Sequence, residues 1–206
     1  FGIALDGDGD RLIFVDKNAK ELNGDDILFV LAKDKFENQI TLGAKGVVGT
    51  IMTNKGLEIA LNKMGVELIR SDVGDKFVLQ KLEELGWDLG GEQSGHIICL
   101  DASNTGDAII AAIKFLEAYI CSELSLDRIL EPMNKYSQIL SKIEINDPEK
   151  VLKNKRFLKL IDDISENLKN YDGRINVSPS GTEPLIRIMV ESKSEKQTKQ
   201  ASIELL

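Results

Sequence analysis

Two consecutive strand-and-helix units limit the possible folds of this chain most strongly. An apolar run from Val47 to Met52 predicts a strand, and the helix that follows it ends at Gly65. A second strand, Val66 to Ile69, precedes a helix that ends at Gly86. Helices between such strands make right-handed crossovers, so we expect a mainly parallel sheet with ligand loops at the carboxyl ends of its strands. Those loops are residues 53–56 and 71–75.

The rest of the sequence adds short elements to this sheet and a second, smaller domain. The patterns predict strands at residues 3–5, 12–15 and 96–100, and helices from Asn23 to about Phe36 and from Thr105 to about Cys121. Pro132 ends a short helical segment and marks a boundary. Beyond it we expect strands at 139–145, 174–178 and 185–191 and helices at 155–169 and 194–206. The predicted fold class is therefore a mixed, mainly parallel α/β sheet domain followed by a smaller α+β domain.

Charge and cysteine content narrow the class of partner. The sequence has 26 basic and 34 acidic residues, a net charge of −8, which disfavours nucleic acid and anionic membranes and favours a small polar substrate. Cys99 and Cys121 have neither the number nor the spacing of a disulfide framework or a zinc site, so we expect a cytoplasmic location. No apolar run reaches the roughly 18 residues that a transmembrane helix needs. The start at Phe1, without an initiator methionine, leads us to expect that the chain begins inside a longer protein.

The first motif with chemical content is the acidic loop from Asp6 to Arg11. Asp6, Asp8 and Asp10 alternate with glycines, which let the backbone fold so that the carboxylates converge on one hard cation, and Mg²⁺ is the natural candidate. An EF-hand is disfavoured, because its sixth and twelfth positions require Gly and Glu. Arg11 follows directly and suggests a metal next to a transferring phosphoryl group. The alternative is a solvated acidic turn.

The second motif is the glycine-rich segment from Gly90 to His96. Glu92 and Ser94 offer a strong acceptor and a hydroxyl at i and i+2, which suits adjacent sugar hydroxyls. The alternative is a plain turn with Glu92 in solvent. His96 is the only histidine, and we expect it near the ligand without assigning proton transfer to it.

The third motif runs from Arg174 to Arg187 and contains a turn at Ser180 to Thr182. Ser180, Gly181 and Thr182 can present backbone N–H and hydroxyl groups to an anion, and Arg187 on the returning strand can bind a phosphate bidentately. Such turns also occur in loops that bind nothing. The prolines that bound the turn and the nearby Arg187 favour a phosphate site.

Taken together and in this order, the motifs resemble the α-D-phosphohexomutase superfamily and, within it, the phosphoglucosamine mutase branch. The matching segments are distributed over nearly the whole chain: Ala4 to Arg11, Thr50 to Asn54, Val73 to Asp75, Gly90 to His96, Thr105 to Asp107 and Ser180 to Arg187. Gln93 in the second motif is the residue that points to the glucosamine branch, since related phosphomannomutases and phosphoglucomutases usually have another residue there.

The resemblance implies a four-domain enzyme with a central cleft. Residues 1–20 would be the end of its second domain with the metal loop, 21–133 its α/β third domain, and 134–206 its α+β fourth domain of the TATA-binding-protein-like type. It assigns Asp6, Asp8 and Asp10 to Mg²⁺, Arg11 to catalysis, and Glu92, Ser94 and His96 to the sugar. It assigns Ser180, Gly181, Thr182 and Arg187 to the phosphate that does not react. The implied reaction interconverts glucosamine 6-phosphate and glucosamine 1-phosphate through a phosphoserine and a bisphosphate intermediate, as a step of peptidoglycan precursor biosynthesis.

Some features depart from the family pattern. The Thr-Ala-Ser-His-Asn-Pro segment that carries the phosphoserine is absent from these 206 residues, so we expect no mutase activity from this chain alone. The missing N-terminal domains of the same protein would be its partners. Ser178 and Lys76 stand where arginine is usual, and Ala108 stands where glycine is usual.

Three other interpretations remain open on the sequence. One is a phosphomannomutase/phosphoglucomutase, which differs mainly in the sugar it accepts. Another is a non-catalytic sugar-phosphate binding module. The last is an α/β scaffold whose loops bind nothing.

Overall fold

The computed structural model describes residues 1–37, 46–180 and 184–206, which divide into two compact units, 1–135 and 136–206. The first unit contains, in chain order, β1 (Gly2–Leu5), β2 (Leu12–Val15), β3 (Glu21–Leu22), α1 (Gly24–Glu37), β4 (Gly46–Thr50), α2 (Lys55–Lys63), β5 (Glu67–Ser71), α3 (Asp75–Leu85), β6 (Leu89–Gly91), β7 (Ile97–Cys99), α4 (Ala108–Cys121) and α5 (Leu126–Leu130). The second contains β8 (Ser137–Glu144), α6 (Pro148–Leu152), α7 (Lys155–Lys169), β9 (Arg174–Pro179), β10 (Leu185–Ser192) and α8 (Glu195–Glu204).

The main sheet of the first unit has the order β5-β4-β6-β7. β4 pairs in parallel with both β5 and β6, whereas β7 is antiparallel to β6, so the sheet is mixed and mainly parallel as predicted. Val47 faces the larger core, which α1, α2 and α4 share. Val48 faces the opposite core with Val78 and Leu82 of α3. Because successive strand residues point to opposite faces, this alternation builds an α/β/α sandwich, and the predicted α/β class is confirmed.

The other sheet of the first unit is a small antiparallel one of order β1-β2-β3. β1 and β2 pair from Gly2 with Val15 to Leu5 with Leu12, so the acidic loop between them is the turn of a hairpin. Leu12 and Phe14 of β2 belong to the same core as α1 and α4. The acidic loop is thereby anchored to the core of the first unit.

Helix ends in the first unit follow the local chemistry of the sequence. Asn23 caps α1, because its side-chain oxygen accepts from the N–H groups of Asp25 and Asp26, while Asp26 accepts from the Asn23 N–H in return. Gly65 and Gly86, where α2 and α3 were predicted to end, have φ values of +74° and +65°. Both predicted helix ends are confirmed, since this left-handed conformation favours glycine.

Two predictions about element boundaries were wrong. Gly90 and Gly91 are not in a loop but form β6 with Leu89, where a Cβ on Gly90 would lie 2.8 Å from the Val48 carbonyl oxygen. Glycine is therefore needed for close packing, although it has low strand propensity. The fourth helix begins at Ala108 and not at Thr105, because the Asp107 side chain accepts from the N–H groups of the first turn. The short elements β3 and α6 were not predicted.

The second unit is a three-stranded antiparallel sheet of order β8-β10-β9 with helices packed on it. Ile186, Ile188 and Val190 of β10 face α7 and α8, and their core includes Ile164 and Leu168 of α7. The strongly amphipathic segment 155–169 forms α7 with the predicted bounds. This arrangement is the expected α+β type.

The only tryptophan of the sequence, Trp87, follows α3 and is 8% exposed. Its ring packs against the backbone of Gly46 at the start of β4, where a Cβ would lie 2.3 Å from a ring carbon.

Within the described residues, no helix combines the length and hydropathy that a bilayer crossing requires. The further division of the first unit into a second-domain end and a third domain stays a prediction.

Candidate functional site

The three acidic side chains of the β1–β2 turn converge as the sequence predicts. Each of Asp6, Asp8 and Asp10 offers one carboxylate oxygen, and these atoms all lie within 4.8 Å of one another. The turn is held by the Asp6 carboxylate, which accepts from the N–H groups of Gly9 (3.1 Å) and Arg11 (3.2 Å). Convergent carboxylate oxygens are hard ligands of the kind that Mg²⁺ and Ca²⁺ take, so these residues fit a hard divalent cation.

The charge state of Asp6 suits cation binding. Desolvation raises the pKa of this carboxyl, but hydrogen bonds, above all those from Arg11, Asp10 and Gly9, lower it by more, so the pKa lies below its ordinary value. The surroundings of Asp10 also fit a cation site. Its Oδ1 is buried and has no hydrogen bond within the described parts of the chain, which is the state expected of an oxygen that awaits a cation.

His96 joins the acidic turn to the predicted sugar segment. Its Nδ1 lies 3.1 Å from Oδ2 of Asp10, and the ring is buried. Arg11 and His96 form an antiparallel backbone bridge, and the Leu12 N–H donates to the Gly95 carbonyl at 3.1 Å. The histidine that sequence reasoning placed near the sugar is thus in direct contact with a predicted metal ligand.

Gly106 is a site residue whose role sequence reasoning missed. Its backbone packs against the His96 ring so closely that a Cβ would lie 2.0 Å from Nε2. The Ala108 N–H, at the start of α4, donates to the Gly9 carbonyl in the acidic turn at 3.1 Å. The Thr105 to Asp107 segment therefore supports both the histidine and the turn. A glycine directly before the residue that caps a helix is the sequence feature from which this role could have been predicted.

Glu92 lies at the end of β6, where the carboxyl ends of three parallel strands meet. It is 7% exposed, and its Oε1 accepts from the Gly74 N–H at 2.9 Å, which links it to the loop after β5. The backbone around it forms a tight turn, with the Glu92 N–H bound to the His96 carbonyl (2.9 Å) and the Gly95 N–H to the Glu92 carbonyl (3.0 Å). Ser94, at the tip of this turn, is exposed. Glu92 is therefore fixed beside the loop 71–75, and Ser94 lies in the same turn.

Lys76, where the family pattern has arginine, is the second residue of α3, which follows that loop. Its Nζ lies 4.7 Å from the centroid of the Phe77 ring. This is a cation–π distance, so the ring restricts where the ammonium group can point.

The predicted phosphate residues belong to the second unit. An Arg187 guanidinium nitrogen donates to the Ser180 hydroxyl at 3.3 Å, and the Ser180 N–H donates to the Leu185 carbonyl at 2.9 Å, which closes the base of the turn. Ser178, where the family pattern has arginine, pairs directly with Arg187 across the two strands. Gly181 and Thr182 lie outside the described residues.

Comparison with known proteins adds two family matches. Residues 23–136 match phosphoglucomutase/phosphomannomutase alpha/beta/alpha domain III, and residues 140–204 match the phosphoglucomutase/phosphomannomutase C-terminal domain. Similar proteins include the phosphoglucosamine mutase of Aeromonas hydrophila, 42% identical over 198 residues, which are 96% of this chain and 44% of that protein. The phosphoglucosamine mutase of Hydrogenovibrio crunogenus is 43% identical over 194 residues, 94% of this chain and 42% of that protein. The chain thus spans less than half the length of these relatives.

Solved structures show the same fold. One is N-acetylphosphoglucosamine mutase of Aspergillus fumigatus in complex with GlcNAc-6P and magnesium, with a TM-score of 0.81, 18% identity, and coverage of 98% of this chain and 50% of that chain. Another is a phosphoglucomutase/phosphomannomutase family protein of Burkholderia thailandensis, with a TM-score of 0.74, 21% identity, and coverage of 98% and 44%. At these identities the likeness concerns the fold alone.

Proposed function

Because this chain belongs to the phosphoglucomutase/phosphomannomutase family, we propose that it is the C-terminal part of a phosphoglucosamine mutase, which interconverts glucosamine 6-phosphate and glucosamine 1-phosphate. The observation that carries the proposal is the contact between Asp10 and His96. It joins the acidic turn, residues 6–11, to the turn of residues 92–96, here called the sugar-type turn, within one compact unit. A cation site directly beside a polyol site is what phosphoryl transfer to a sugar hydroxyl requires.

Mg²⁺ is the proposed cofactor, and Asp6, Asp8 and Asp10 would hold it. The convergence of their oxygens and the buried, unpartnered Oδ1 of Asp10 within the described residues support this assignment. When bound, the ion supplies positive charge that offsets the charge of a transferring phosphoryl group. Arg11, next in sequence, is proposed to place its guanidinium on the same phosphoryl group.

The proposed sugar contacts are Glu92 and Ser94, with His96 beside them. One Glu92 carboxylate oxygen accepts from Gly74, which fixes the side chain so that it can accept from hydroxyls of the substrate. The phosphate that does not react is proposed to bind Ser180, Gly181, Thr182 and Arg187. The contact between Arg187 and Ser180 supports this, since it joins a guanidinium and a hydroxyl at one place.

The partners proposed for this chain are a hexosamine phosphate and the N-terminal domains of the same protein, one of which would carry the phosphoserine. In this proposal, Glu92, Ser94 and His96 of this chain orient the sugar. The phosphoserine of the N-terminal domains donates the phosphoryl group and later recovers it. We further propose a cytoplasmic location, because Cys99 and Cys121 are both free thiols.

Calorimetric titration of the purified chain tests the proposal. We expect saturable binding of Mg²⁺ and, with Mg²⁺ present, binding of glucosamine 6-phosphate that is tighter than binding of glucose 6-phosphate or mannose 6-phosphate. Equal or tighter binding of the glucose or mannose compound would favour a phosphomannomutase/phosphoglucomutase. Absence of any saturable binding would support a scaffold that binds nothing.

A further inference from the structure

Gln93, at the tip of the sugar-type turn, has its side-chain amide on a buried carboxylate. Its Nε2 donates to Oδ2 of Asp25 at 3.2 Å, across 68 positions of sequence. Asp25 is in the first turn of α1 and is 0% exposed. A hydrogen bond to a buried charged group is stronger than one between neutral groups, so this contact restrains Gln93 firmly.

Asp25 connects the sugar-type turn to a second loop at the same edge of the sheet. The same Oδ2 accepts from the Asn54 N–H at 3.0 Å, and Asn54 in turn caps α2 by accepting from the Gly56 N–H at 2.9 Å. Oδ1 of Asp25 is buried without a hydrogen bond in the described part of the chain. Burial of a carboxylate is costly unless it is hydrogen-bonded, so the bonds that Asn54 and Gln93 donate to Oδ2 are the ones that compensate for the burial of Asp25.

The backbone of the turn is seated on the start of α1 in the same region. The Gly24 N–H donates to the Gln93 carbonyl at 3.0 Å. A Cβ on Gly24 would lie 1.9 Å from the Glu92 carbonyl oxygen, so the two backbones touch. Glu92 itself is tied to the Gly74 N–H on its other side. The side chain that is proposed to bind the sugar therefore lies between two fixed points.

We infer that Gln93 and Asp25 form a positioning pair, in which the buried carboxylate holds the Gln93 amide and thereby fixes Glu92 and Ser94 for the hexosamine. This inference rests on the proposed function for its ligand, although the contact itself does not. Gln93 then acts on sugar recognition through Asp25 and not by touching the substrate. Glutamine suits this position because its side chain carries a donor that reaches the carboxylate, which an apolar residue of equal length lacks.

Substitution of Gln93 by methionine tests the pair, because methionine keeps the length of the side chain and removes the amide. We expect Gln93→Met to weaken binding of glucosamine 6-phosphate about tenfold, as for loss of one hydrogen bond to a charged group, and to leave the Mg²⁺ affinity unchanged. Asp25→Asn should weaken sugar binding as well, because it replaces the charged acceptor of the Gln93 amide by a neutral one, and its effect on sugar binding should be smaller in the Gln93→Met background than in wild type. The matched control is Gln80→Met, which removes an exposed amide contact with Glu84 on α3.

Amide hydrogen exchange on the same variants decides the inference without any substrate. In Gln93→Met, the amides of Gly24, Glu92, Gly95 and Asn54 should exchange about tenfold faster than in Gln80→Met, while amides of the acidic turn should not change. Equal exchange in the two variants would overturn the positioning pair. Equal sugar affinity of wild type and Gln93→Met would also overturn it while leaving the proposed function intact. Failure of the wild type to bind any hexose phosphate would count against the proposed function, and exchange would still decide the pair.

Discussion

At Asp25, burial and the neighbouring polar groups have opposite effects on the pKa of the carboxyl. Burial raises its pKa to about 6, although the Asn54 N–H, the Lys135 charge and the Gln93 amide all lower it, and the neighbouring Asp26 raises it further. The folded state therefore holds the proton more tightly than an unfolded chain, whose Asp has a pKa of 3.8. The stabilising effect of protonation is present at low pH and is lost as the pH rises through about 6.

Replacement of this carboxyl by an amide should change how stability depends on pH. The difference between 3.8 and about 6 corresponds to about 3 kcal/mol in the free energy of unfolding. We expect wild type to lose about that much stability relative to Asp25→Asn between pH 4 and pH 7, because the variant has no proton to release there. Urea unfolding of both proteins at several pH values measures it. A constant difference across this range would contradict the raised pKa.

Gly106 is a residue at which one methyl group should disturb the proposed metal site. Gly106→Ala puts a Cβ 2.0 Å from Nε2 of His96. The ring must move, and the 3.1 Å contact from Nδ1 to Asp10 moves with it. We expect a Mg²⁺ affinity about tenfold weaker, as for loss of an outer-shell partner of a ligand. Calorimetry measures this. Gly2→Ala is the control, since its Cβ would meet only Val15 at an ordinary 3.6 Å; equal effects of the two variants would exclude a specific role for His96.

At the level of residues, the sequence predicted that three carboxylates come together but not which contacts hold them. Asp6, Asp8 and Asp10 are close in sequence, so a glycine-rich turn suffices to bring them together. The contacts of Asp10 with His96 and of Asp25 with Gln93 join residues 86 and 68 positions apart. Such contacts depend on how the sheet and helices pack, which no local pattern encodes.

Among the elements, the β9–β10 pair shows how a change in one strand bears on the proposed phosphate site. Ser178 lies directly opposite Arg187. We expect Ser178→Arg to tighten binding of inorganic phosphate or glucosamine 6-phosphate, because a second guanidinium on the same face adds a charge-assisted hydrogen bond of about 1.5 to 3 kcal/mol.

The same substitution should lower stability in the absence of ligand. Two like charges directly opposite each other in a sheet are destabilising by about 0.2 to 1 kcal/mol. The control is Asn167→Arg, which adds the same charge on the exposed face of α7. Titration and thermal unfolding of both variants separate the two effects; an unchanged phosphate affinity of Ser178→Arg would contradict the assignment of Arg187.

Helices and strands with a clear apolar period were predicted well, and those without one were not. α7 has the predicted bounds because its apolar residues recur at helical spacing, and Gly65 and Gly86 gave the ends of α2 and α3. β6 was missed, since Gly90 and Gly91 carry no side chain from which a strand period can be recognised. The start of α4 was placed too early, because Asp107 is the residue that caps it.

For the molecule as a whole, catalysis by the proposed mechanism needs more than this chain. We expect the purified 206-residue chain to give no steady-state conversion of glucosamine 6-phosphate, because a phosphoryl relay cannot run without its serine carrier. A coupled assay for glucosamine 1-phosphate measures it, with a phosphoglucosamine mutase of full length as positive control. Turnover by the chain alone, above a control that lacks protein, would refute the proposed division of labour.

The place of Trp87 has a practical consequence for following how the two units unfold. It is the only indole in the sequence, and it lies in the first unit against Gly46. Its fluorescence emission therefore reports the melting of the α/β/α sandwich and is silent about residues 136–206. Circular dichroism reports on the helices of both units. A difference between the midpoints of the fluorescence and the circular-dichroism transitions would therefore indicate that the two units unfold separately.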